Sequence, residues 1–317
     1  MSKNNNLTKA KKAKNDEFYT LIEDVEKEVS QYKDQFKDKV IYCNCDDYKW
    51  SNFYKHFKDH FKEYKLKRLI ASCLTGNYAS YDGNVETTGQ LQNGDFRGKE
   101  SIELLKTADI IVSNPAFSLF REYIAQLIKY NKKFLIVGNQ NAITCKEVFP
   151  LIKEHKIWLG NRKMSPWEFR LPKTATEYKR SDDDGEKYAT LGSVCWFTNL
   201  PVKRFDEKIT LVKTYNSKDF PNCDNYNAIY VDKVANIPID YQGVIAVPIT
   251  ILKYMNKENK INANINGETK YFKILGETYS TDKSDDVEKI RTDPRKRHNP
   301  FVNGKEKYTK ILIQRIS

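Results

Sequence analysis

Apolar residues near the start of the chain recur at steps of three and four residues. This spacing predicts one amphipathic helix that begins at about Asp16 and packs a single face against the rest of the protein. The stripe consists of Phe18, Leu21, Ile22, Val25, Val29, Tyr32 and Phe36.

Short apolar runs then alternate with helical stretches. The helical stretches are 51–64, 118–130 and 146–154. The apolar runs are 39–43, 69–73, 109–113, 134–137 and 157–159. Parallel strands require long crossover connections, which are usually helices. The alternation therefore predicts the α/β class, with a doubly wound and mostly parallel sheet.

The alternation ends after about residue 162. Charged loops such as Ser181-Asp182-Asp183-Asp184-Gly185 separate more irregular apolar runs. These runs are 193–198, 209–213, 243–247, 271–275 and 309–314. The first three can still belong to the sheet, and the last third of the chain is the natural place for a lobe that contacts a substrate.

Composition adds a candidate partner. The 317 residues contain 54 Lys+Arg against 42 Asp+Glu, a formal net charge of +12. Such an excess attracts polyanions and favours nucleic acid, although biased codon usage also produces Lys-rich proteins. No apolar run reaches the roughly 20 residues of a membrane span, which favours a cytoplasmic protein. The six cysteines are scattered and are expected to be reduced.

The most informative motif is Asn114-Pro115-Ala116-Phe117, directly after the apolar run 109–113. The loop at the carboxyl end of such a strand faces the ligand crevice of an open α/β sheet. The side-chain carbonyl oxygen of Asn114 and the backbone carbonyl oxygen of Pro115 can each accept one hydrogen of an amine. The lone pair of the amine nitrogen then points at a methyl donor. Phe117 offers a face for an extruded base. The alternative is a simple turn whose phenylalanine joins the core.

Two groups of residues suggest metal sites only weakly. His56 and His60 lie four apart on a predicted helix, but no third ligand accompanies them. The run Asp182 to Asp184 fits a solvated loop better than a cation site. No metal is expected.

Several ordered blocks together resemble the EcoRI-type adenine-specific DNA methyltransferases over most of the chain. The blocks are Asn15 to Thr20, Tyr42 to Asp47, Gly94 to Arg97, Asn114 to Glu122 and Lys133 to Asn139, with weaker matches at Trp196 to Leu200 and Val247 to Thr250. The resemblance implies S-adenosylmethionine as methyl donor, adenine N6 as acceptor and duplex DNA as substrate, with the base flipped out of the helix.

The resemblance also implies roles for individual residues. Phe18, Tyr19 and Thr20 are expected to close over the methionine end of the cofactor, and either Asp46 or Asp47 to pair with its ammonium group. Asp95 and Phe96 are expected to hold its adenine. The full set of implied cofactor residues is Phe18, Tyr19, Thr20, Cys43, Asn44, Asp46, Asp47, Asp95 and Phe96. An Asp next to a glycine is also a common turn residue, and an isolated Phe is usually core.

The chain departs from the usual pattern at two places. The glycine-rich loop after the first strand of such folds is replaced by Cys43-Asn44-Cys45-Asp46-Asp47, an oddity that the EcoRI-type family shares. The family's catalytic tetrapeptide has proline where this chain has Ala116. That change indicates either a slow or silenced enzyme, natural or engineered, or a tolerated natural variant.

The predicted organisation is a Rossmann-like methyltransferase fold with a C-terminal mixed target-recognition lobe. Its parts are a mobile basic arm at 1–15, a catalytic domain at 16–162, and the remaining strands and target-recognition region at 163–317. The candidate DNA contacts are Lys9, Lys11, Lys12, Lys14, Arg291, Arg295, Lys296 and Arg297.

The expected protein is a monomer of a restriction-modification or orphan modification system. A cognate endonuclease would share its site without binding to it. Two alternatives remain: an amino methyltransferase acting on RNA or protein, and a silent protein that binds DNA or the cofactor without turnover.

Overall fold

A computed structural model describes residues 18–162, 165–278, 285–292 and 299–316. The chain divides into two compact units. Of the described residues, the first unit contains 18–140 and 160–162 with 165–202, and the second contains 141–159 with the residues after 202. Segment 141–159 thus belongs with the C-terminal part of the chain.

Helices connect the strands that the apolar runs predicted. Ser51 caps the second helix, because its hydroxyl accepts hydrogen bonds from the Phe53 and Tyr54 amides. The α-helices of the described residues are α1 (Ile22–Val29), α2 (Asn52–Asp59), α3 (Lys99–Thr107), α4 (Phe120–Lys129), α5 (Phe149–Lys153) and α6 (Asp285–Ile290).

A large mixed sheet forms the centre of the first unit. Its strands in this unit are β1 (Tyr19–Thr20), β2 (Val40–Cys43), β3 (Arg68–Ser72), β4 (Asn77–Tyr81), β5 (Glu86–Gln90), β6 (Ile110–Ser113), β7 (Lys133–Asn139), β9 (Ser165–Leu171), β10 (Arg180–Ser181) and β11 (Lys187–Thr198), while β8 (Trp158–Leu159) lies in the second unit. The main path runs β1-β9-β11-β7-β6-β2-β3-β4-β5. Strands β3, β2, β6 and β7 pair in parallel.

The strand register fixes where a ligand can bind. Ile41 lies opposite Ile110, and Tyr42 lies opposite Ile111, so β2 and β6 end side by side. The loop after Cys43 and the turn after Ser113 therefore emerge at the same edge of the sheet. This is the edge at which open α/β sheets bind ligands.

The prediction of a mostly parallel sheet was wrong. Strands β4, β5, β9 and β11 extend the parallel centre on both sides with antiparallel pairs. Strands β4 and β5 were missed because neither carries an apolar run. Strand β5 is exposed throughout, and β4 has one buried residue. Strand β9 alternates Trp167, Phe169 and Leu171 with more polar residues, a period of two that indicates a strand with one buried face.

The second unit contains its own mixed sheet in the order β12-β15-β16-β19-β14-β13. Its strands are β12 (Ile209–Leu211), β13 (Ile229–Tyr230), β14 (Val244–Pro248), β15 (Lys260–Ile265), β16 (Glu268–Glu277) and β19 (Lys310–Ile316), and β17 (Phe301–Val302) pairs with β18 (Lys305–Glu306). Runs 209–213 and 243–247 were considered for the first sheet, but they form β12 and β14 here. Only run 193–198 joins the first sheet, as part of β11.

Two further findings concern the described residues as a whole. None of their helices has both the length and the apolar character needed to cross a bilayer. All six cysteines have free thiols.

Candidate active site

A cavity of about 330 Å³ opens in the first unit at the carboxyl edge of the parallel strands. Its wall takes residues from 18–20, 44–53, 73–75, 94–96 and 114–119. The predicted residues on this wall are Phe18, Tyr19, Thr20, Asn44, Asp46, Asp47, Asp95, Phe96, Asn114, Pro115, Ala116 and Phe117. Cys43 is not on the wall, because its side chain is fully buried within β2.

The carboxamide of Asn114 has a defined orientation. Its Nδ2 donates to the Phe18 carbonyl oxygen and, at 3.2 Å, to Thr20 Oγ1. A carbonyl oxygen only accepts hydrogen bonds, so the atom of Asn114 that faces it must be the nitrogen. Asn114 lines the cavity, and its Oδ1 is the carboxamide atom that can still accept a hydrogen bond. Segment 18–20 thus contacts the turn that begins at Asn114 as well as the cavity.

Asp46 lies behind this turn and is almost completely buried. Its Oδ1 accepts from Ser51 Oγ at 2.8 Å, and its Oδ2 accepts from Ser113 Oγ at 2.6 Å. The Asn114 amide also donates to it. Burial raises the pKa of this carboxyl to about 6, while the three hydrogen bonds oppose the rise.

Asp47 is buried to the same extent but has different partners. Its Oδ2 accepts from Asn77 Nδ2 at 2.5 Å and from Cys73 Sγ at 3.6 Å. Its Oδ1 accepts from the Lys49 amide at 3.0 Å. The two neighbouring carboxylates therefore connect to different parts of the site.

A buried amide donor lies beside the cavity at Asn44. The Tyr123 hydroxyl on α4 donates to Asn44 Oδ1. Asn44 Nδ2 is buried and has no hydrogen-bond partner among the described residues. A buried donor without a partner costs on the order of 1 to 3 kcal/mol, so a ligand acceptor at this position would be stabilising.

Asp95 is held by an arginine that sequence reasoning did not single out. Arg97 donates from Nε to Asp95 Oδ1 at 2.9 Å and from Nη2 to Oδ2 at 2.7 Å. Its Nη1 donates to Glu122 Oε2 on α4 at 2.7 Å. The Arg97 guanidinium lowers the pKa of Asp95, which therefore stays ionised. Phe96 packs edge-on against Tyr123, with ring centroids 5.1 Å apart.

Aromatic rings surround the turn that begins at Asn114. Phe117 stacks on Phe18, with centroids 5.9 Å apart, and meets Phe169 edge-on at 6.4 Å. Tyr19 packs on Trp50, with centroids 4.1 Å apart. Trp50 is on the cavity wall and 40% exposed, an unusual exposure for such a large apolar side chain.

Sequence reasoning missed Ser51, Ser113, Arg97, Trp50 and Phe169. Ser51 carried a usable signal, since a serine directly before a helix is a preferred cap. Ser113 is the last residue of an apolar strand, where a polar side chain points toward the ligand edge. No local signal indicated Phe169, because its contacts with Phe18 and Phe117 depend on the tertiary structure.

Ala116 has a backbone conformation that proline also adopts, with φ −52° and ψ 125°. Its carbonyl accepts from the Leu119 amide at 2.9 Å and starts the short 3₁₀ turn Phe117–Leu119. The path of the turn therefore matches what a proline at this position would impose.

His56 and Asp182, which the sequence suggested only weakly as metal ligands, have hydrogen-bond partners within the protein. His56 is buried, its Nε2 lies 3.1 Å from the Tyr64 hydroxyl, and burial lowers its pKa to about 4. Asp182 Oδ2 accepts from the Tyr188 hydroxyl at 2.8 Å. Within the described ranges no group of three or more His, Cys, Asp or Glu side chains is arranged to hold a metal ion.

Most predicted DNA contacts lie outside the described residues, namely Lys9, Lys11, Lys12, Lys14, Arg295, Lys296 and Arg297. Arg291 is described. Its side chain is buried, with Nη1 2.6 Å from Glu288 Oε1 and the guanidinium over the Tyr226 ring. This placement gives Arg291 a structural role in the second unit.

Comparison with known proteins identifies the family of the chain. A family model described as "Adenine-specific methyltransferase EcoRI" matches residues 6–90 and 77–316. Type II methyltransferase M.EcoRI of Escherichia coli is 42% identical over 312 aligned residues, which cover 85% of this chain and 95% of that protein.

Two Mycoplasma proteins match over nearly their whole length. Type II methyltransferase M.MgeORF184P of Mycoplasma genitalium is 35% identical, covering 98% of both chains, and M.MpnI of Mycoplasma pneumoniae is 34% identical, covering 97% of both.

No solved structure matches the chain significantly. The fold, the site and the relatives together define a site-specific DNA methyltransferase. The chain belongs to the EcoRI family of adenine-specific methyltransferases, for which S-adenosylmethionine is the implied methyl donor.

Proposed function

We propose that the chain methylates the exocyclic N6 of an adenine that is flipped out of duplex DNA, with Asn114 as the central catalytic residue. The observation that carries this proposal is the orientation of the Asn114 carboxamide. Because Phe18 and Thr20 hold its nitrogen, its oxygen is left to accept a hydrogen bond from a substrate amine.

The residues around the cavity fit S-adenosylmethionine. The buried Asn44 Nδ2, which lacks a partner among the described residues, can donate to a carboxylate. Asp47 can accept from an ammonium group, and the ionised Asp95 can accept from an adenine amino group beside the Phe96 ring. Charge-assisted hydrogen bonds of this kind are among the strong ones. When bound, the cofactor supplies a methyl group on a sulfonium, which is an electrophile.

The amine would be bound by two acceptors on the catalytic turn. Asn114 Oδ1 and the Pro115 carbonyl oxygen take one N–H hydrogen each, so the nitrogen lone pair is free to point at the methyl donor. The same two oxygens stabilise the positive charge that grows on the nitrogen during transfer. An amide oxygen is a poor base, so Asn114 orients the amine and does not remove its proton.

Adenine N6 must leave the base stack to reach this turn. Extrusion costs a few kcal/mol, which stacking and phosphate contacts offset. Phe117 can provide the stacking, since it lies on the cavity wall next to Asn114. For the phosphate contacts we retain Lys9, Lys11, Lys12, Lys14, Arg295, Lys296 and Arg297 as candidates and leave out the buried Arg291.

Readout of the target sequence is proposed for residues after about 160. The relatives are named Type II methyltransferases, and we extend that setting to this chain. It would protect a specific DNA site, and a cognate endonuclease would recognise the same site without binding the methyltransferase.

The test compares Asn114→Ala with Asn84→Ala, which removes a similar side chain from an exposed turn away from the cavity. Labelled methyl transfer to duplex DNA is measured at saturating cofactor, and single-molecule sequencing identifies the modified base. We expect Asn114→Ala to slow transfer on the order of a hundredfold or more, while Asn84→Ala stays near wild type. Unchanged transfer by Asn114→Ala, or a methyl group found elsewhere than adenine N6, would refute the proposal.

A further inference from the structure

The carboxylate of Asp46 receives hydrogen bonds from three segments of the first unit. The Ser51 hydroxyl donates to Oδ1 from the start of α2, and the Ser113 hydroxyl donates to Oδ2 from the end of β6. The Asn114 amide donates from the catalytic turn itself. Asp46 is only 6% exposed, and Ser113 is completely buried.

The chemistry of the two serines fixes the direction of these hydrogen bonds. Ser51 Oγ already accepts from the Phe53 and Tyr54 amides, and Ser113 Oγ accepts from the Cys45 amide at 3.2 Å. A hydroxyl has one proton to donate. Both serines donate that proton to Asp46, and an ionised carboxylate can receive both while also accepting from the Asn114 amide.

We infer that Asp46 is a positioning residue, which holds the Asn114 turn in place through Ser113 and the Asn114 amide. This inference rests on the proposed role of Asn114. It also assigns different roles to two adjacent carboxylates. Asp46 positions the Asn114 turn, and Asp47 binds the cofactor.

Asp47 provides a matched control. It is the next residue, it is equally buried, and its carboxylate also accepts hydrogen bonds within the protein. Its partners, however, are Asn77, Cys73 and the Lys49 amide, none of which belongs to the catalytic turn. A general effect of neutralising a buried carboxylate in this loop would appear in both Asp46→Asn and Asp47→Asn.

The experiment measures the single-turnover rate of methyl transfer and the dissociation constant of S-adenosylmethionine separately. The variants are Asp46→Asn, Ser113→Ala, their double variant and Asp47→Asn. We expect Asp46→Asn and Ser113→Ala each to slow transfer about 10- to 100-fold, as expected for a loop displaced by up to about 1 Å. The dissociation constant should stay within about threefold of wild type in both. Asp47→Asn should instead act on cofactor binding, with a dissociation constant raised well above that of either Asp46→Asn or Ser113→Ala.

The double variant tests whether the two residues act through one connection. If they do, it should be no more than about threefold slower than the slower single variant, because each single change already breaks the same link. Multiplied effects would overturn the inference. So would an Asp46→Asn variant that binds the cofactor more than tenfold more weakly but transfers at the wild-type rate when saturated.

Two controls keep failures distinguishable. Ser113→Ala removes one hydroxyl only, so it carries the test if Asp46→Asn does not fold, and thermal melting identifies that case. If Asn114→Ala abolishes transfer while Ser113→Ala leaves it at the wild-type rate, the inference about Asp46 fails and the proposed function stands. If Asn114→Ala itself has no effect, the proposed function fails first.

Discussion

At the scale of single residues, the protonation state of the Asp46 carboxyl gives the site a defined pH dependence. Its pKa is raised to about 6 by burial, so it is ionised at neutral pH and gains a proton as the pH falls through that value. The protonated form lacks the charge that strengthens its three hydrogen bonds, so it holds the Asn114 turn less firmly. We expect the methyl-transfer rate to fall below about pH 6, and Asp46→Asn to be slower but flatter across this range. A wild-type rate without a step near pH 6 would contradict this.

Stability should respond in the opposite direction. The pKa of the Asp46 carboxyl is higher in the folded state than its ordinary value of 3.8, so the folded state binds this proton first as the pH falls. Its contribution to stability therefore improves as the pH falls from about 6 toward 4. The free energy of unfolding of wild type minus that of Asp46→Asn should rise over this window, while the wild-type activity declines.

Ala116 allows a second prediction at the same scale. Its φ of −52° already suits proline, and its amide donates no hydrogen bond to any of the described residues. Ala116→Pro should stabilise the protein by about 0.4 to 1 kcal/mol by restricting the unfolded chain. The transfer rate should change less than about threefold, because the turn already follows the path that proline favours.

Denaturant unfolding and single-turnover transfer check this prediction, with Ala116→Gly as the control that makes the unfolded chain more flexible. A rate increase of tenfold or more in Ala116→Pro would mean that alanine at this position limits catalysis. That result would revive the interpretation of the chain as a slow enzyme.

At the scale of elements, the cavity depends on two loops whose backbones touch. A Cβ atom added to Gly94 would lie 2.0 Å from the Cys73 carbonyl oxygen and 2.5 Å from the Gly76 amide nitrogen. Neither backbone atom can move away cheaply. Gly94→Ala should therefore push the loop that holds Asp95 and Phe96 away from the end of β3.

The expected result for Gly94→Ala is cofactor binding weakened at least tenfold and a lower melting temperature. Gly89→Ala is the matched control, since its Cβ would meet only Tyr78 Cδ1, at an ordinary 3.6 Å. Calorimetric titration with S-adenosylmethionine and thermal melting measure the two effects. Equal behaviour of the two variants would show that the close approach does not shape the cofactor site.

Elements differ in how well the sequence predicts them. Strands β2, β3, β6 and β7 were confirmed because strands buried on both faces become continuous apolar runs. Strand β5 is exposed throughout, so no hydrophobic pattern marks it. The position of the Asn114 turn followed from the strand before it. The link between Ser113 and Asp46 could not be predicted, because these residues are 67 apart in sequence and meet only through the pairing of β2 with β6.

At the scale of the whole molecule, charge is the property that most directly affects the substrate. The formal net charge is +12, and residues 1–15 carry five lysines and no acidic residue. A protein whose basic side chains neutralise DNA phosphates displaces the cations bound to the DNA. Its affinity for DNA therefore falls as the salt concentration rises, and the logarithm of the affinity drops by about 0.9 per phosphate contact for each tenfold increase in salt. If all five lysines contact phosphates, changing them together to glutamine should reduce this slope by about 4.5.

The matched control changes five exposed lysines near the amino ends of β2 and β3, opposite the edge at which ligands bind. These are Lys37, Lys39, Lys62, Lys65 and Lys67. Both variants lose the same charge, so a difference between them reports contacts and not net charge. Fluorescence titration of duplex DNA between 50 and 200 mM salt, a range within which such contacts change affinity by orders of magnitude, measures both slopes. The control should keep the wild-type slope, and an equal loss in both variants would rule out a specific role for the lysines of residues 1–15.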